Sequence, residues 1–203
     1  VGGDHSCPLG LIKALDDTQK ESFGILHVDA HHDLREAYEG FTYSHASIFY
    51  NVLNECKNVS KLIQVGIRDY SKEEAQRMIN LGDKGDCLYD TAMQAQIATG
   101  KSLEEVFTPY IEQLPKNVYI SIDIDGLEPL NCPNTGTPVP GGLRYGELEH
   151  LIFMVVKSGR KIIGFDLVEV GDSKNGWDAN VGSRVLYNLC GALLASQGKI
   201  EYR

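Results

Sequence analysis

The chain has 203 residues, of which 42% are hydrophobic and 23% charged, and we predict a single soluble domain over residues 1–203. Its net charge of −9 argues against a nucleic-acid surface, and no apolar run approaches the ~18 residues that cross a membrane. Five scattered cysteines without a C-x-x-C pair favour reduced thiols, and therefore a cytoplasmic location, over a disulfide framework or a zinc knuckle.

The chain opens on the glycine-rich segment Gly2-Gly-Asp-His-Ser6, which we interpret as a tight corner before a helix over residues 8–20. It lacks both the G-x-G-x-x-G spacing and the lysine of a phosphate-binding loop, so we do not predict nucleotide binding. A lone histidine such as His5 is usually structural at such a corner, but polar clusters downstream make it a candidate ligand. The first five residues resemble the end of a strand, and we expect an upstream segment to be missing.

The next predicted strand, residues 24–28, runs directly into Asp29-Ala-His-His-Asp33. Alternate residues of an extended segment share one face, so Asp29, His31 and Asp33 are expected to converge on one point. An aspartate after a strand is often only a turn or capping residue, and this segment alone is weak evidence for a metal site.

A second buried strand, residues 118–122, leads into Asp123 and Asp125, which have the same alternate spacing. Four carboxylates at one edge of a sheet would repel one another and destabilise the fold unless cations neutralised them. We therefore interpret the two aspartate pairs as one metal site at the carboxyl ends of neighbouring strands.

The other predicted elements alternate between helices and strands along the chain. They are helices over 46–55, 71–81, 102–114, 144–158 and 180–195, strands over 62–66, 87–90 and 161–166, and an ordered proline-rich loop over 129–142. Ser71 and Glu74 form a capping box. This alternation predicts an α/β fold, a mostly parallel sheet with helices on both faces and a site at the carboxyl ends of its strands.

The chemistry of the ligand set favours a pair of ions. Four carboxylates and two imidazoles without a thiolate suit manganese, or another hard to borderline divalent ion, better than structural zinc. Six ligands are too many for one ion with an open position, whereas two ions sharing bridging carboxylates fit. Ions about 3.5–4 Å apart lower the pKa of a water between them, which predicts hydrolysis without a covalent intermediate.

Five segments occur in a characteristic order through most of the chain. They are Gly2-Gly-Asp-His-Ser6, Asp29-Ala-His-His-Asp33, Ser121-Ile-Asp-Ile-Asp-Gly-Leu-Glu-Pro129, Gly136-Thr-Pro138 with Pro140-Gly-Gly142, and Gly164-Phe-Asp-Leu-Val-Glu169. In this order they resemble the ureohydrolase family of arginases and agmatinases. The resemblance implies a doubly wound, three-layer α/β/α fold and two manganese ions per chain. It also implies release of urea from a guanidinium substrate, or of a related amide from a formimino one.

The resemblance also implies a role for individual residues. One ion would be bound by His5, Asp29, Asp33 and Asp123, and the other by Asp29, His31, Asp123 and Asp125, so that Asp29 and Asp123 bridge. His45, in a loop where an imidazole can act as acid or base, falls at the family's proton-shuttling histidine; its alternative is an exposed loop histidine. Glu169 falls at the carboxylate that pairs with the guanidinium. His32 matches a variable position.

The loop over residues 34–43 bears on the substrate. It resembles that of agmatinases and lacks the asparagine that receives the substrate carboxylate in arginases. Glu36 and Glu39 would attract an ammonium, whereas an inward-pointing Arg35 would bind a carboxylate. We therefore expect agmatine, hydrolysed to putrescine, with arginine, guanidino acids and formiminoglutamate as alternatives. Other classes left open are a metal-binding pseudoenzyme, a regulatory subunit and a mononuclear zinc deacetylase. We also expect a homo-oligomer.

Overall fold

A parallel five-stranded sheet is the centre of the computed structural model, which describes residues 2–172 and 174–201. Its strands are β1 (Phe23–Val28), β2 (Val59–Val65), β3 (Gly85–Leu88), β4 (Asn117–Asp123) and β5 (Lys161–Val168). They are arranged in the order β3-β2-β1-β4-β5, and every neighbouring pair is parallel. β1 and β4 are buried along their whole lengths, as expected for strands covered on both faces.

Helices cover both faces of this sheet. They are α1 (Leu9–Thr18), α2 (Ile48–Glu55), α3 (Lys72–Asn80), α4 (Asp90–Ala98), α5 (Leu103–Ile111), α6 (Tyr145–Lys157) and α7 (Trp177–Ser196). One hydrophobic cluster joins α1, α2 and α3 to the sheet around Phe49 and Leu62. The other joins α5, α6 and α7 to the opposite face around Phe107 and Ile152. The predicted three-layer α/β/α fold is therefore confirmed.

Local sequence signals account for most, but not all, of these boundaries. The capping box of α3 is confirmed, because Ser71 Oγ accepts from the Glu74 N–H at 3.3 Å and Glu74 Oε2 accepts from the Ser71 N–H at 3.0 Å. The predicted strand over 87–90 was misplaced, since β3 ends at Leu88 and α4 begins at Asp90. α4 has no counterpart among the predicted helices, because it buries only Asp90 and Met93 and therefore lacks the periodic apolar stripe that indicates a helix.

β1 is the point at which the order of the strands in the sheet reverses. β2 and β3 follow on one side of β1, whereas β4 and β5 lie on the other. Val28, the last residue of β1, is paired with Val65 on one side and with Ile122 on the other. The segment after Val28 therefore emerges at a topological switch point, where open α/β sheets place their ligand sites. Among the described residues, no helix combines the length and the hydropathy needed to cross a bilayer.

Candidate metal and substrate site

The two aspartate segments meet at this switch point. Asp29 follows β1 directly, and Asp123 is the last residue of the neighbouring β4. The Ala30 N–H donates to Asp125 Oδ1 at 3.0 Å, which ties the two segments together. Gly126 permits this approach, because a Cβ at that position would lie 2.8 Å from the Asp29 nitrogen.

A first group of ligands surrounds the imidazole of His5, which is only 1% exposed. His5 Nδ1 lies 3.1 Å from Asp29 Oδ2, 3.1 Å from Asp33 Oδ2 and 3.4 Å from Asp123 Oδ2. On the other side of the ring, His5 Nε2 lies 2.8 Å from Ser121 Oγ, and this contact helps to orient the imidazole. The glycine-rich corner thus places one imidazole nitrogen among three carboxylates, two from the segment after β1 and one from the end of β4.

A second group adjoins the first and shares one carboxylate with it. His31 Nδ1 lies 3.3 Å from Asp29 Oδ1 and 3.2 Å from Asp125 Oδ2. Thr137, from the proline-rich loop, also donates to Asp125 Oδ2 at 3.2 Å. Asp29 therefore turns one carboxylate oxygen towards His5 and the other towards His31.

Burial and hydrogen bonding govern the titration of this cluster. Burial lowers the pKa of His5, but hydrogen bonds to its three neighbouring carboxylates outweigh this and raise the pKa well above the usual value. Burial, and then the charge of Asp29, raise the pKa of Asp33 to about 7. Burial likewise lowers the pKa of His31, but hydrogen bonds to Asp125 and Asp29 raise it to about 11. Protons on these groups compensate the negative charge of the carboxylates, and a bound cation would compensate the same charge in their place.

The donor set fits divalent ions. Ligand atoms within 4.8 Å of one another form two groups among the described residues: one of His5, His27, Asp29 and Asp33, the other of Asp29, His31 and Asp125. Oxygen and imidazole donors without thiolates suit manganese and similar ions. The cluster could therefore hold metal ions; its two groups contain five of the six predicted ligands together with His27, and the sixth, Asp123, lies beside His5.

A cavity of about 160 Å³ opens over these groups. It is lined by His5, His31, Asp33, Arg35, Tyr38, His45, Ala46, Asp69, Glu74, Asp123, Thr137 and Glu169. Three predicted residues outside the metal set, His45, Arg35 and Glu169, thus share one cavity with the cluster. A larger groove of about 1010 Å³ lies between α6 and α7, but none of the predicted site residues lines it. We place the site in the smaller cavity because the carboxylates converge there.

Glu169 is held in a strained backbone conformation at the end of β5. Its φ of 60° lies in the left-handed region that is unfavourable for a side-chain-bearing residue, and Asp33 shares this feature with a φ of 53°. The Glu169 N–H donates to the Gly3 carbonyl at 3.0 Å, and Thr135 Oγ1 donates to the Glu169 carbonyl at 2.8 Å. Burial raises the pKa of its carboxyl group. Strain of this kind is often retained where a side chain must point into a functional site.

Arg35 and Glu36 lie on different sides of the loop that was predicted to select the substrate. Arg35 lines the cavity, with its Nε 3.5 Å from Glu74 Oε2 and its guanidinium 5.3 Å from the centre of the Tyr38 ring. Glu36 does not line the cavity; its Oε2 lies 3.2 Å from Arg77 on the surface. Two further acids line the cavity: Glu74, which pairs with Arg35, and Asp69, whose Oδ2 lies 3.9 Å from His31 Nε2.

Sequence reasoning missed His27. Its ring is fully buried, and its Nε2 donates to Asp29 Oδ2 at 2.8 Å. Burial lowers the pKa of His27 to about 4 in spite of the adjacent carboxylate. The spacing contained the signal, because His27 is on β1 two residues before Asp29, which follows the strand directly, and alternate residues of an extended segment point the same way.

A doubly wound sheet with this histidine and aspartate cluster at its switch point defines an α/β protein with a carboxylate-rich site for metal ions. The chain belongs to the arginase family, whose sequence profile matches residues 1–191. It is 35% identical over 191 residues to an N(1)-aminopropylagmatine ureohydrolase of Thermus thermophilus, covering 94% of this chain and 60% of that protein. It is 31% identical to arginase 1 of Oryza sativa, covering 93% of this chain and 53% of that one.

Solved structures agree with this assignment. The agmatine ureohydrolase of Thermoplasma volcanium superimposes with a TM-score of 0.75 at 27% identity, covering 98% of this chain and 61% of that one. This chain therefore spans roughly 53–61% of the length of the three relatives compared.

Proposed function

We propose that this chain carries the active site of a manganese-dependent ureohydrolase that releases urea from a guanidinium substrate. The observation that carries the proposal is the sharing of Asp29 between two ligand groups, with Glu169 and His45 in the same cavity. Two ions bridged by Asp29 and Asp123 would suit this set of donors. When bound, such a pair supplies positive charge and activates water for attack on an amidine carbon.

The protein side chains have separate tasks in this proposal. The Glu169 carboxylate pairs with the guanidinium and turns its carbon towards the carboxylate cluster. Water adds to that carbon, and the bond between the carbon and the alkyl-bearing nitrogen breaks. His45 gives a proton to the departing amine, as a general acid. The cavity is small, which limits the number of waters that compete with the substrate.

We propose agmatine, which yields putrescine, as the substrate. Agmatine, arginine and the guanidino acids present the same guanidinium to Glu169, so the choice among them is made by the other charges that line the cavity. Asp69 lines the cavity with a side chain that is 68% exposed; its Oδ2 lies 3.9 Å from His31 Nε2, and its charge would attract an ammonium group. Glu74 is buried, and it pairs with Arg35 rather than standing alone. Two acids against one base favour a cationic tail over the carboxylate of arginine.

Two other substrates have specific support. An aminopropylated agmatine carries a longer cationic tail, and a relative at 35% identity is named for that activity. Arginine is supported by Arg35, whose guanidinium lines the cavity and could bind a carboxylate with two hydrogen bonds.

All five cysteines are free thiols, and this supports our proposal of a reducing, cytoplasmic location. The homo-oligomeric state stays a prediction, which light scattering can check.

A urea-release assay tests the proposed function. The chain is loaded with manganese and incubated with agmatine, N(1)-aminopropylagmatine, arginine and 4-guanidinobutyrate, with an Asp29→Asn variant as the inactive control. We expect urea from agmatine, together with two manganese ions per chain by metal analysis. Two bound ions without urea from any guanidine would indicate a metal-binding pseudoenzyme. One zinc ion per chain in the protein as purified, before manganese is added, would favour a mononuclear deacetylase.

A further inference from the structure

A row of buried polar side chains runs beneath the metal-type cluster without lining the cavity. It consists of His27 on β1, Gln64 on β2 and His32 after β1, and all three are fully buried. Tyr89 closes the outer end, with its hydroxyl 3.3 Å from His32 Nε2. The inner end is the contact between His27 and Asp29. The proposed reaction assigns these side chains no task.

The amide of Gln64 determines the direction of every hydrogen bond in the row. Its nitrogen, which can only donate, lies 2.8 Å from the His32 carbonyl oxygen and 2.8 Å from His27 Nδ1. Its oxygen, which can only accept, lies 2.6 Å from His32 Nδ1. The reversed amide would press its oxygen against the His32 carbonyl oxygen. The row therefore has a single consistent set of donors and acceptors.

This set of donors and acceptors determines where each proton lies. His32 carries a proton on Nδ1, because it donates to the Gln64 oxygen. His27 accepts on Nδ1, so its proton lies on Nε2 and points at Asp29 Oδ2 at 2.8 Å. The other oxygen of Asp29 accepts from the backbone N–H of His31 at 2.6 Å. Both oxygens of the shared carboxylate are thus oriented by donors from the protein.

From this geometry we infer that His27, Gln64 and His32 are positioning residues, which lock the Asp29 carboxylate in the orientation that serves both ligand groups. The inference rests on the proposed function only in treating Asp29 as the shared ligand. Replacing a residue that orients a metal-binding side chain usually lowers metal affinity or activity by about 10- to 100-fold. We expect a loss of this size when the row is broken.

The same geometry argues against His27 as a metal ligand, although its ring lies within the first ligand group. A ligand nitrogen must present a lone pair to the ion. The His27 Nδ1 lone pair already accepts from Gln64, and Nε2 carries the proton directed at Asp29. If that proton were on Nδ1 instead, it would point at a hydrogen of the Gln64 amide nitrogen, and the two hydrogens would repel each other.

Paired variants of His27 separate orientation from packing. The ring of His27 lies 4.1 Å from that of Phe49, and His27→Phe retains this aromatic contact while removing the donor. His27→Gln supplies an amide N–H near the position of Nε2. We expect His27→Phe to weaken manganese binding by about 10- to 100-fold, and His27→Gln to stay within a few-fold of the parent. A competition titration with a chromogenic chelator measures both. Equal losses in the two variants, or no loss in His27→Phe, would overturn the inference.

A second measurement does not depend on bound manganese or on activity. In metal-free chain with ¹⁵N-labelled histidine, long-range ¹H–¹⁵N correlations report the protonated nitrogen of each ring. We expect the proton of His27 on Nε2 and that of His32 on Nδ1, with the His27 signals assigned by their loss in His27→Gln. Gln64→Met should release His27 from this single tautomer. A proton on Nδ1 of His27 in the parent chain would refute the inference even if the proposed function held. The expected tautomers in a chain that binds no manganese would refute the proposed function instead.

Discussion

The backbone N–H of His5 donates a hydrogen bond to Glu169 Oε1 at 2.9 Å. This bond joins the histidine of the first ligand group to the acid that we propose for guanidinium binding, although 164 residues separate them in sequence. The corner after Gly2 and the end of β5 therefore hold one another in place. Disturbing either residue should affect binding of metal and substrate together unless the substitution retains the hydrogen bond.

We expect Glu169→Gln to retain this bond, because the amide oxygen can still accept from His5. The variant should therefore keep its metal and its fold. It should lose roughly 10- to 150-fold in kcat/KM for agmatine, since a charged hydrogen bond is worth about 1.5–3 kcal/mol. Steady-state kinetics with metal analysis checks this. Glu36→Gln is the matched control and should be close to the parent, because Glu36 lies outside the cavity. Unchanged kinetics in Glu169→Gln would exclude the guanidinium-binding role.

His45→Ala should lower kcat and leave the manganese content intact. His45 begins the short 3₁₀ turn before α2 and lines the cavity without joining either ligand group. General acid catalysis is typically worth ~10²–10⁴ in rate, which sets the size of the expected loss. Turnover and metal content are measured on the same preparation. Loss of manganese in this variant would make His45 a ligand and contradict the proton-transfer role.

Asp29→Asn should lose more manganese than Asp33→Asn. The two substitutions are chemically identical, but Asp29 belongs to both ligand groups and Asp33 to one. Removing charge from the shared carboxylate weakens attraction for both ions, so we expect less than one ion per chain after dialysis. Asp33→Asn should retain about one, and Asp123→Asn should resemble Asp29→Asn if Asp123 also bridges. Equal losses in the Asp29 and Asp33 variants would show that Asp29 does not bridge.

Manganese should stabilise the chain more strongly at alkaline pH. Burial and the charge of Asp29 raise the pKa of Asp33 to about 7, so without metal the folded state loses stability as pH rises from about 4 to 7. Hydrogen bonds to Asp125 and Asp29 outweigh burial and raise the pKa of His31 to about 11. The stability that protonated His31 gives the folded state is therefore lost as pH rises from about 6.5 to 11. Bound cations replace these protons. The Tm difference between manganese-loaded and chelated chain should therefore grow from pH 6 to pH 8.5, which scanning fluorimetry measures. A difference that shrinks over this range would contradict the account.

Asp69 should contribute to the preference for a cationic tail. We expect Asp69→Asn to lower kcat/KM for agmatine by about two- to fivefold, the range typical of one exposed charge pair. The same variant should not lower kcat/KM for 4-guanidinobutyrate, whose carboxylate Asp69 repels. Arg35→Ala is the complementary variant and should weaken arginine more than agmatine. A parent chain that prefers arginine to agmatine would overturn our choice of substrate.

Regular spacing allowed the sequence to determine the parallel α/β fold and to indicate the candidate metal ligands. Strands and helices alternate at lengths that only a layered α/β arrangement satisfies, and parallel strands bring their carboxyl ends to one edge. The alternate spacing of Asp29, His31 and Asp33 indicated one site, but β1 ends at Val28 and Asp33 has a φ of 53°, so these side chains converge through the turn after the strand. α4 was missed because its packing depends on neighbouring helices rather than on a stripe of its own apolar residues.

Only the tertiary structure determined which side chains orient those ligands by hydrogen bonds and which side chains line the cavity. Gln64 lies 35 residues after Asp29 and reaches His27 because β1 and β2 pair in register, a relationship that no local pattern contains. Glu36 and Arg35 are adjacent in sequence, yet Arg77 holds one on the surface and Glu74 holds the other at the cavity. Local spacing determines the face of a strand on which a residue lies. Contacts between distant segments determine its hydrogen-bond partners, and therefore its orientation and its charge.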